Sequence, residues 1–367
     1  GTWAVYSTSW NMGITILADL DGTLLPRPFS KGRGATVAHP TISNGPAYAP
    51  LVRLLDLGAT VVGVTGSQLG THRTRFFEDL PLEHRRDGRV LLAVQTGARL
   101  YRAAPKDGKP VRDVDFCNHL ARRVSARLDD EVVERLVEVG RDGIRRFFAD
   151  LKRDPTLVDA DGHLGYLHDA ASSAHVSEAP VSNDGDVIPR IEVRENSSAV
   201  VFVGVPSTLG ARYFSVPPEL EDVVDGRPTG RSAFDCVPAG LDKSHVVRYL
   251  IDSGVVSGGR AVAIGDQPSG NDEGLTRWHR DDSCTIPFVA VSERETMVPP
   301  DLRDCHMTEV SNAEGSAVVL GALAELLEQH MERGNNNAGG LNLDADFVSD
   351  LVGKLNGGHS HTDRQMS

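Results

Sequence analysis

The sequence predicts an α/β protein with a doubly wound, Rossmann-like parallel-sheet core into which an α+β domain is inserted. The first observation is that GITILADLD, ATVVGVTGS and VLLAVQTGA are continuously apolar strands, separated by helical patterns such as YAPLVRLLDLG. Strands of this kind are typical of a parallel sheet that helices cover on both faces. The second observation is that the same alternation of strand and helix returns from Phe234 onward, after a segment from Arg99 in which the pattern of apolar residues differs.

The pattern of this segment predicts a separate α+β domain. HLARRVSARLDDEVVERLVEVGRDGIRRFFADLKRD predicts helix, whereas VIPRIEVREN and SAVVFVGVP predict strands of an antiparallel sheet. After it, DKSHVVRYLIDSG predicts a helix, GRAVAIGDQ and IPFVAVS predict strands, and GSAVVLGALAELLEQHMER predicts a closing helix. We therefore expect a discontinuous core of residues 12–98 and 234–333 and an inserted domain of residues 99–233.

The end of the chain predicts a flexible tail. GNNNAGGLNLD follows Arg333 and has the composition of a linker. The short apolar patch after it, in DADFVSDLVGKLNG, is long enough for only a few helical turns. Residues 334–367 are expected to be mobile, and docking of the apolar patch on the core is the alternative.

Composition limits the classes of partner. The chain has 51 acidic and 38 basic residues, a net charge of −13, which argues against general binding to nucleic acid or to anionic membranes. An anionic small-molecule substrate would need a local basic pocket. No apolar run approaches the roughly 20 residues of a membrane span, and the start lacks the pattern of a signal peptide. The four cysteines show no metal-binding spacing, which favours free thiols. We expect a cytoplasmic monomer or homodimer.

Polar side chains follow several strands of the predicted sheet. Asp19 and Asp21 follow the first strand, Thr65 follows the second, and Asp266 follows AVAIG. Ligands of open parallel sheets bind outside the carboxyl ends of the strands, where such loops converge. The sequence therefore predicts a site at this edge of the sheet.

The paired aspartates need a cation. Residues two apart in extended chain point the same way, so two like charges would lie close together beside an apolar strand. A calcium loop is excluded because the twelfth residue from Asp19 is Ser30 instead of a glutamate. The loop AIGDQPSGNDEGL supplies Asp266 and Asp272, and its carboxylates suit Mg²⁺. An acidic surface turn is the alternative.

Two further segments point to phosphate binding. Thr65, Gly66 and Ser67 combine a hydroxyl with backbone N–H groups at the predicted start of a helix, which is a ready phosphate cradle. Ser67 is equally consistent with a plain helix N-cap. Lys243 lies near the start of the helix in PAGLDKSHVVRYL, and taken alone it is most simply a surface lysine.

Taken in order, ILADLDGTLL, VVGVTGS, GLDKSHVVRYL and AVAIGDQPSGND resemble the four motifs of the haloacid dehalogenase superfamily of phosphotransferases. The inserted domain resembles the α/β cap of the sugar-phosphate phosphatase branch, and we call it the cap below. QTGARLY is similar to that branch's NGA signature, with Thr96 in place of the asparagine.

The resemblance implies Mg²⁺-dependent phosphoryl transfer through an aspartyl-phosphate. Asp19 would be the nucleophile, and Asp21 would protonate the leaving oxygen and then activate water. Thr65 and Lys243 would hold the transferring oxygens. The implied Mg²⁺ ligands and their neighbours are Asp19, the Leu20 carbonyl, Asp266 and, behind or beside the ion, Asp272, with Asn271 orienting Lys243 or phosphate.

The substrate is expected to be a small phosphate ester, with a sugar phosphate favoured. Arg190 and Arg194 lie four apart in PRIEVREN, so in a strand they share a face and are candidates for substrate binding; a solvated edge strand explains them equally well. His72, His163 and His279 have no partner visible in the sequence and receive no role.

Two other functions remain open. SAFDCVPAGLDK and the long GDQPSGND loop are similar to parts of eukaryotic phosphomannomutases, but the cap has no stretch like their RNGM signature, and VTGS fits the phosphatases better. A phosphohexomutase is therefore the second enzymatic interpretation. A catalytically silent binding protein of the same fold is the third, which the filled catalytic positions disfavour.

Overall fold

The computed structural model describes residues 13–26, 40–159, 164–172, 181, 189–195, 198–279, 281, 283–332 and 342–356. The strands are β1 Thr15–Ala18, β2 Thr60–Val64, β3 Val90–Val94, β4 Arg99–Ala103, β5 Pro110–Arg112, β6 Arg190–Val193, β7 Val200–Val203, β8 Val224–Thr229, β9 Ala233–Pro238, β10 Ala261–Gly265 and β11 Phe288–Ala290. The helices are α1 Tyr48–Asp56, α2 Leu69–His72, α3 Leu82–Arg86, α4 Val114–Ala121, α5 Asp130–Arg153, α6 Leu167–Ser172, α7 Gly210–Tyr213, α8 Ser244–Asp252, α9 Glu273–Thr276, α10 Pro300–His306, α11 Asn312–Glu332 and α12 Ala345–Leu355. Among these helices, none combines the length and the apolar character needed to cross a bilayer.

A seven-stranded sheet forms the core, in the order β11-β10-β1-β2-β3-β4-β5. The five strands from β11 to β3 are parallel, and β4 and β5 continue the sheet in antiparallel fashion. Strand β1 lies between β10 and β2, where Leu17 pairs with Ala263 on one side and Val62 on the other. This confirms the predicted α/β class and its parallel core.

Apolar layers cover both faces of this sheet, as the continuously apolar strands require. On one face, Ile16 and Val61 pack in one cluster with Leu54 of α1 and Leu323 of α11. On the other face, Leu17 and Val62 pack in a second cluster that includes α8. Helices on both sides hold the strand ends, and hence the polar loops that follow them, in fixed positions.

The cap is a second sheet with its own apolar core. Its strand order is β6-β7-β9-β8, all antiparallel, and the 24-residue helix α5 packs on it. Gly140 allows α5 to approach closely, since a Cβ there would lie 2.5 Å from the ring of Phe202. The opposite face of the sheet meets the core domain, where Val201 and Val237 share an apolar cluster with Leu241 and Ala98.

The boundaries predicted for the cap need correction. Strands β4 and β5 belong to the core sheet, and Phe116 of α4 is buried in the core layer of α8, so the cap begins after α4 rather than at Arg99. The turn at Gly97, with φ +84°, returns the chain beside β3 and so extends the core sheet. At its other end the cap sheet continues through β9 as far as Pro238.

The helix predicted from residue 119 to 154 is also interrupted. Helix α4 ends at Ala121, and α5 begins at Asp130 after a non-helical segment. Asp129 is the N-cap of α5, and its side chain accepts a hydrogen bond from the N–H of Val132 at 2.9 Å. Such a cap satisfies one of the donors that a helix start leaves unpaired.

Part of the predicted flexible tail docks on the core, so that prediction was wrong for residues 342–356. Helix α12 packs against α10 and α11, and Leu343, Val348 and Val352 are almost fully buried in the core cluster. Burial of this apolar face accounts for the docking. The linker GNNNAGG and residues 357–367 lie outside the described residues.

Candidate active site

The polar residues predicted from separate segments do meet at one edge of the core sheet. Asp19 follows β1, and its N–H still bonds to the carbonyl of Ile264 in β10 at 3.0 Å. Asp266 directly follows β10, and Lys243 directly precedes α8. The side chain of Asp242 fixes that helix start by accepting a hydrogen bond from the N–H of Ser244 at 2.8 Å.

Lys243 is the centre of the arrangement. Its Nζ lies 2.5 Å from Oδ1 of Asp19 and 2.7 Å from Oδ1 of Asp272, and its side chain has no exposed surface. The surface-lysine alternative is therefore wrong. An ammonium group has three hydrogens, and two of them point at these carboxylates, so one remains for a ligand oxygen.

Burial and charge act in opposite directions on these groups. Burial alone would lower the pKa of Lys243, but the charges of Asp19 and Asp272 outweigh it and raise that pKa. Burial raises the pKa of Asp19 well above its usual range, Lys243 lowers it, and the neighbouring Asp272 and Asp266 raise it again. The site thus holds more negative charge than its one ammonium group compensates.

This excess charge fits a divalent cation. Asp19, Asp266 and Asp272 are buried, and one carboxylate oxygen from each lies within 4.8 Å of the others. Three carboxylates and one ammonium leave two negative charges in a buried place, which needs compensation. A set of carboxylate oxygens is the donor set that Mg²⁺ prefers. The Thr23 hydroxyl lies between two of them, 3.4 Å from Asp19 and 3.5 Å from Asp266.

Two of the predicted metal ligands, Leu20 and Asp272, also take part in hydrogen bonds within the protein. The Leu20 carbonyl accepts hydrogen bonds from the N–H groups of Leu25 at 2.8 Å and Thr23 at 3.2 Å, so both of its lone pairs have a partner within the loop, and its role as a metal ligand stays a prediction. Asp272 uses one oxygen for Lys243 and the other for the N–H of Gln267, at 2.9 Å. Both of its oxygens are therefore engaged, and within the cluster it holds Lys243 in place.

A glycine makes the position of Asp272 possible. A Cβ on Gly265, the last residue of β10, would lie 2.5 Å from Oδ2 of Asp272. Real side chains do not approach that closely, so any other residue there would displace the carboxylate. The glycine in AVAIGD is thus part of the site.

Asp21 is held by two residues that the sequence analysis missed. Oδ2 of Asp21 lies 2.9 Å from Nε2 of His72, and Oδ1 lies 3.0 Å from Nη2 of Arg75. Burial acts to raise the pKa of Asp21, but His72 and Arg75 together lower it far below its usual range. The only sequence signal was spacing, because His72 falls seven residues after Thr65 in the segment that follows β2.

The loop after β2 brings the predicted phosphate-binding residues together. The Thr65 hydroxyl accepts a hydrogen bond from the N–H of Ser67 at 3.1 Å and lies 3.3 Å from Nε2 of His72. Ser67 is not the N-cap, since α2 begins after Gln68. A Cβ on Gly66 would lie 3.6 Å from the side-chain amide of Asn271, which places Asn271 beside this loop.

The two arginines predicted to bind substrate share a face of the cap, but both pair with Glu192. Nε of Arg190 lies 2.7 Å from Glu192, and Nη2 of Arg194 lies 2.8 Å from it. Asp235 is buried on the same side of this sheet, and burial raises its pKa even though Arg194 acts to lower it. Arg190 and Arg194 are thus partly neutralised, and their role in substrate binding stays a prediction.

The hairpin between β8 and β9 extends from the cap to the edge of the core sheet at which the site lies. Arg231 at its tip forms an ion pair with Glu293, in the loop after β11. Gly230 of the hairpin lines a small cleft together with Asp266 and Gln267. The cap therefore borders the space beside the carboxylate cluster.

Comparison with known proteins finds similarity to solved structures only. The chain matches no protein-family model. It matches no curated protein either. An IMP-bound IMP-nucleotidase of Plasmodium falciparum is similar over 78% of this chain and 66% of its own length, just under two thirds, with 12% identity and a TM-score of 0.42. A sucrose-phosphatase from Synechocystis, in complex with sucrose and phosphate, is similar over 86% of this chain and 98% of its own, with 12% identity and a TM-score of 0.40. A Streptococcus mutans protein is similar over 87% and 99%, with 13% identity and a TM-score of 0.44. The activities named are those of these other proteins.

Proposed function

We propose that this protein is a Mg²⁺-dependent phosphatase that hydrolyses a small phosphorylated metabolite through an aspartyl-phosphate. The observation that carries the proposal is the buried Lys243, which bridges Asp19 and Asp272 beside Asp266. The ordered resemblance to the haloacid dehalogenase motifs supports the same chemistry.

In the first step, an oxygen of Asp19 attacks the phosphorus and the bond to the ester oxygen breaks. The spare N–H of Lys243 and the Thr65 hydroxyl donate to the oxygens of the transferring group, where negative charge is redistributed. Bound Mg²⁺ would be held by Asp19 and Asp266 and would neutralise charge on the phosphoryl oxygens. The leaving oxygen takes up a proton from protonated Asp21, the acid that the resemblance implies. His72 and Arg75 lower the pKa of Asp21 and so favour this transfer, which leaves Asp21 as the carboxylate before water attacks.

In the second step, water attacks the phosphorus of the aspartyl-phosphate and gives a proton to Asp21, while the bond to Asp19 breaks and phosphate leaves. Asp21 suits this step because His72 and Arg75 favour its carboxylate form, which is the form that accepts a proton. The cap limits the size of the substrate, since its hairpin tip is paired with the core loop beside the site. A sugar phosphate is the substrate class that we favour.

The test is a phosphatase screen of the purified protein against phosphorylated metabolites, with Mg²⁺ or with EDTA. We expect phosphate release that needs Mg²⁺ and that Asp19→Asn abolishes. Asp107→Asn, at an exposed aspartate outside the site, is the matched control and should keep full activity. Activity in Asp19→Asn would refute the nucleophile. An isomerised sugar phosphate formed with a bisphosphate activator would favour the mutase.

A further inference from the structure

We propose that His72 and Arg75 are positioning residues that hold the Asp21 carboxylate for attack of water on the phosphoenzyme. The inference rests on the proposed function and adds two residues to it. Both oxygens of Asp21 are engaged, one by each residue, so rotation of the carboxylate is restricted. Its side chain nevertheless keeps 27% of its surface exposed, so it borders space that water can enter.

The two partners are themselves buried and fixed. His72 has no exposed surface, and Arg75 is 5% exposed. Nε of Arg75 donates to the carbonyl of Pro40 at 3.0 Å, which leaves Nη2 directed at Asp21. Burying a guanidinium costs free energy unless a charged partner compensates it. For Arg75 the compensating charge is the carboxylate of Asp21, 3.0 Å from its Nη2.

The backbone that carries Arg75 is unusual. Residues Arg73–Phe77 form a π-helical turn directly after α2. Such widened turns are rare and occur frequently at functional sites. Nδ1 of His72 and Nη1 of Arg75 are buried without a hydrogen-bond partner among the described residues. This segment thus accepts unpaired polar atoms to place two donors on one carboxylate.

His72 also links Asp21 to Thr65. A carboxylate oxygen only accepts, so Nε2 of His72 carries the hydrogen in its contact with Asp21. That nitrogen then has no lone pair for the Thr65 hydroxyl, 3.3 Å away. Because neither Nε2 of His72 nor the N–H of Ser67 can accept, the hydrogen of the Thr65 hydroxyl is left for another acceptor such as a phosphoryl oxygen. One histidine therefore orients groups from the loops after β1 and β2.

The test separates the two chemical steps with 2,4-dinitrophenyl phosphate, whose leaving group needs no acid. Asp19 should be phosphorylated normally, while attack of water slows when Asp21 is no longer held. For Arg75→Met and His72→Phe we expect kcat to fall about 10–100-fold with KM falling in parallel, since a general base contributes about 10²–10⁴-fold. A burst of dinitrophenol and an acid-trapped phosphoenzyme should accompany the loss.

Conservative variants and a matched control make the result specific. Arg75→Lys and His72→Gln keep a donor near Asp21 and should recover part of kcat and shrink the burst. His84→Phe changes another buried histidine, which pairs with Asp56 at 2.8 Å outside the site, and should change stability without a burst. If His72→Phe does not fold, the Arg75 pair of variants decides the question.

The outcomes distinguish this inference from the proposed function. If the unsubstituted protein hydrolyses no phosphate ester, the proposed function fails and this inference fails with it. If it is active, and the Arg75 and His72 variants lose kcat without accumulating phosphoenzyme, only the positioning role is refuted. Unchanged kcat in Arg75→Met would refute it as well.

Discussion

Replacing Lys243 with methionine should destabilise the protein strongly, because the ammonium is the cation shared by the buried carboxylates. Methionine preserves the length and the apolar stem of the side chain but removes the charge. Its loss leaves Asp19 and Asp272 facing each other with Asp266 nearby. Breaking a buried ion pair by removing one partner costs about 3–5 kcal/mol, so we expect Lys243→Met to lower the unfolding free energy by that amount in EDTA.

A second substitution tests whether uncompensated negative charge causes the destabilisation by Lys243→Met. Asn at position 272 can still accept the hydrogen bond from the N–H of Gln267, but it removes one of the three uncompensated charges. The double variant Lys243→Met/Asp272→Asn should therefore be more stable than Lys243→Met alone, whereas Asp272→Asn alone should destabilise the parent. With both single variants measured, we expect a coupling energy of at least about 1–2 kcal/mol, within the range seen between contacting residues.

The measurement is urea unfolding in EDTA followed by tryptophan fluorescence. Trp278 is 5% exposed and belongs to the apolar cluster that includes α8, so its emission reports unfolding of that layer. If the two substitutions destabilise additively, the charge argument is refuted and Lys243 contributes through packing alone. Both variants should be inactive in either case.

Three further predictions concern other parts of the molecule. Burial raises the pKa of Asp235 in the folded protein. The stability that protonated Asp235 contributes is therefore fully present below about pH 4 and is lost as the pH rises through the pKa of the folded protein. In urea unfolding, Asp235→Asn should be more stable than the parent at pH 7 and equal to it near pH 4. Leu343→Ala, which truncates a fully buried side chain, should lower the unfolding free energy by about 2–4 kcal/mol. Lys354→Ala, on the exposed side of α12, should change it little. An unchanged unfolding free energy in Leu343→Ala would mean that the tail is not docked in solution. Gly265→Ala should reduce kcat at least tenfold by displacing Asp272, and full activity in this variant would contradict the close approach.

The main site could be predicted because it depends on topology. Asp19 and Asp266 each follow an apolar strand, and parallel strands that neighbour each other deliver such residues to one edge. Lys243 carried little signal by itself, and only the order of the motifs placed it there. The structure brings its Nζ within 2.5 Å of Asp19, across 224 residues of sequence.

The remaining residues could not be predicted because local geometry decides them. Whether Arg75 faces Asp21 depends on a π-helical turn that ordinary helical periodicity does not represent. The two hydrogen bonds that the Leu20 carbonyl accepts within its own loop are likewise not revealed by motif spacing. Docking of α12 did have a signal, since Val348, Leu351 and Val352 recur at helical spacing.

The position of β1 in the core sheet has a consequence for synthesis of the chain. Its partner on one side, β2, ends at Val64, whereas its partner on the other side, β10, ends at Gly265. The ribosome therefore adds 265 − 64 = 201 residues between them, which takes roughly 10–40 s at about 5–20 residues per second. Throughout that time the backbone edge of β1 lacks its second neighbour, and an apolar strand edge of this kind pairs readily with other chains. A nascent-chain chaperone that shields Ile16 and Leu17 would protect the protein at the stage when it is most prone to aggregate.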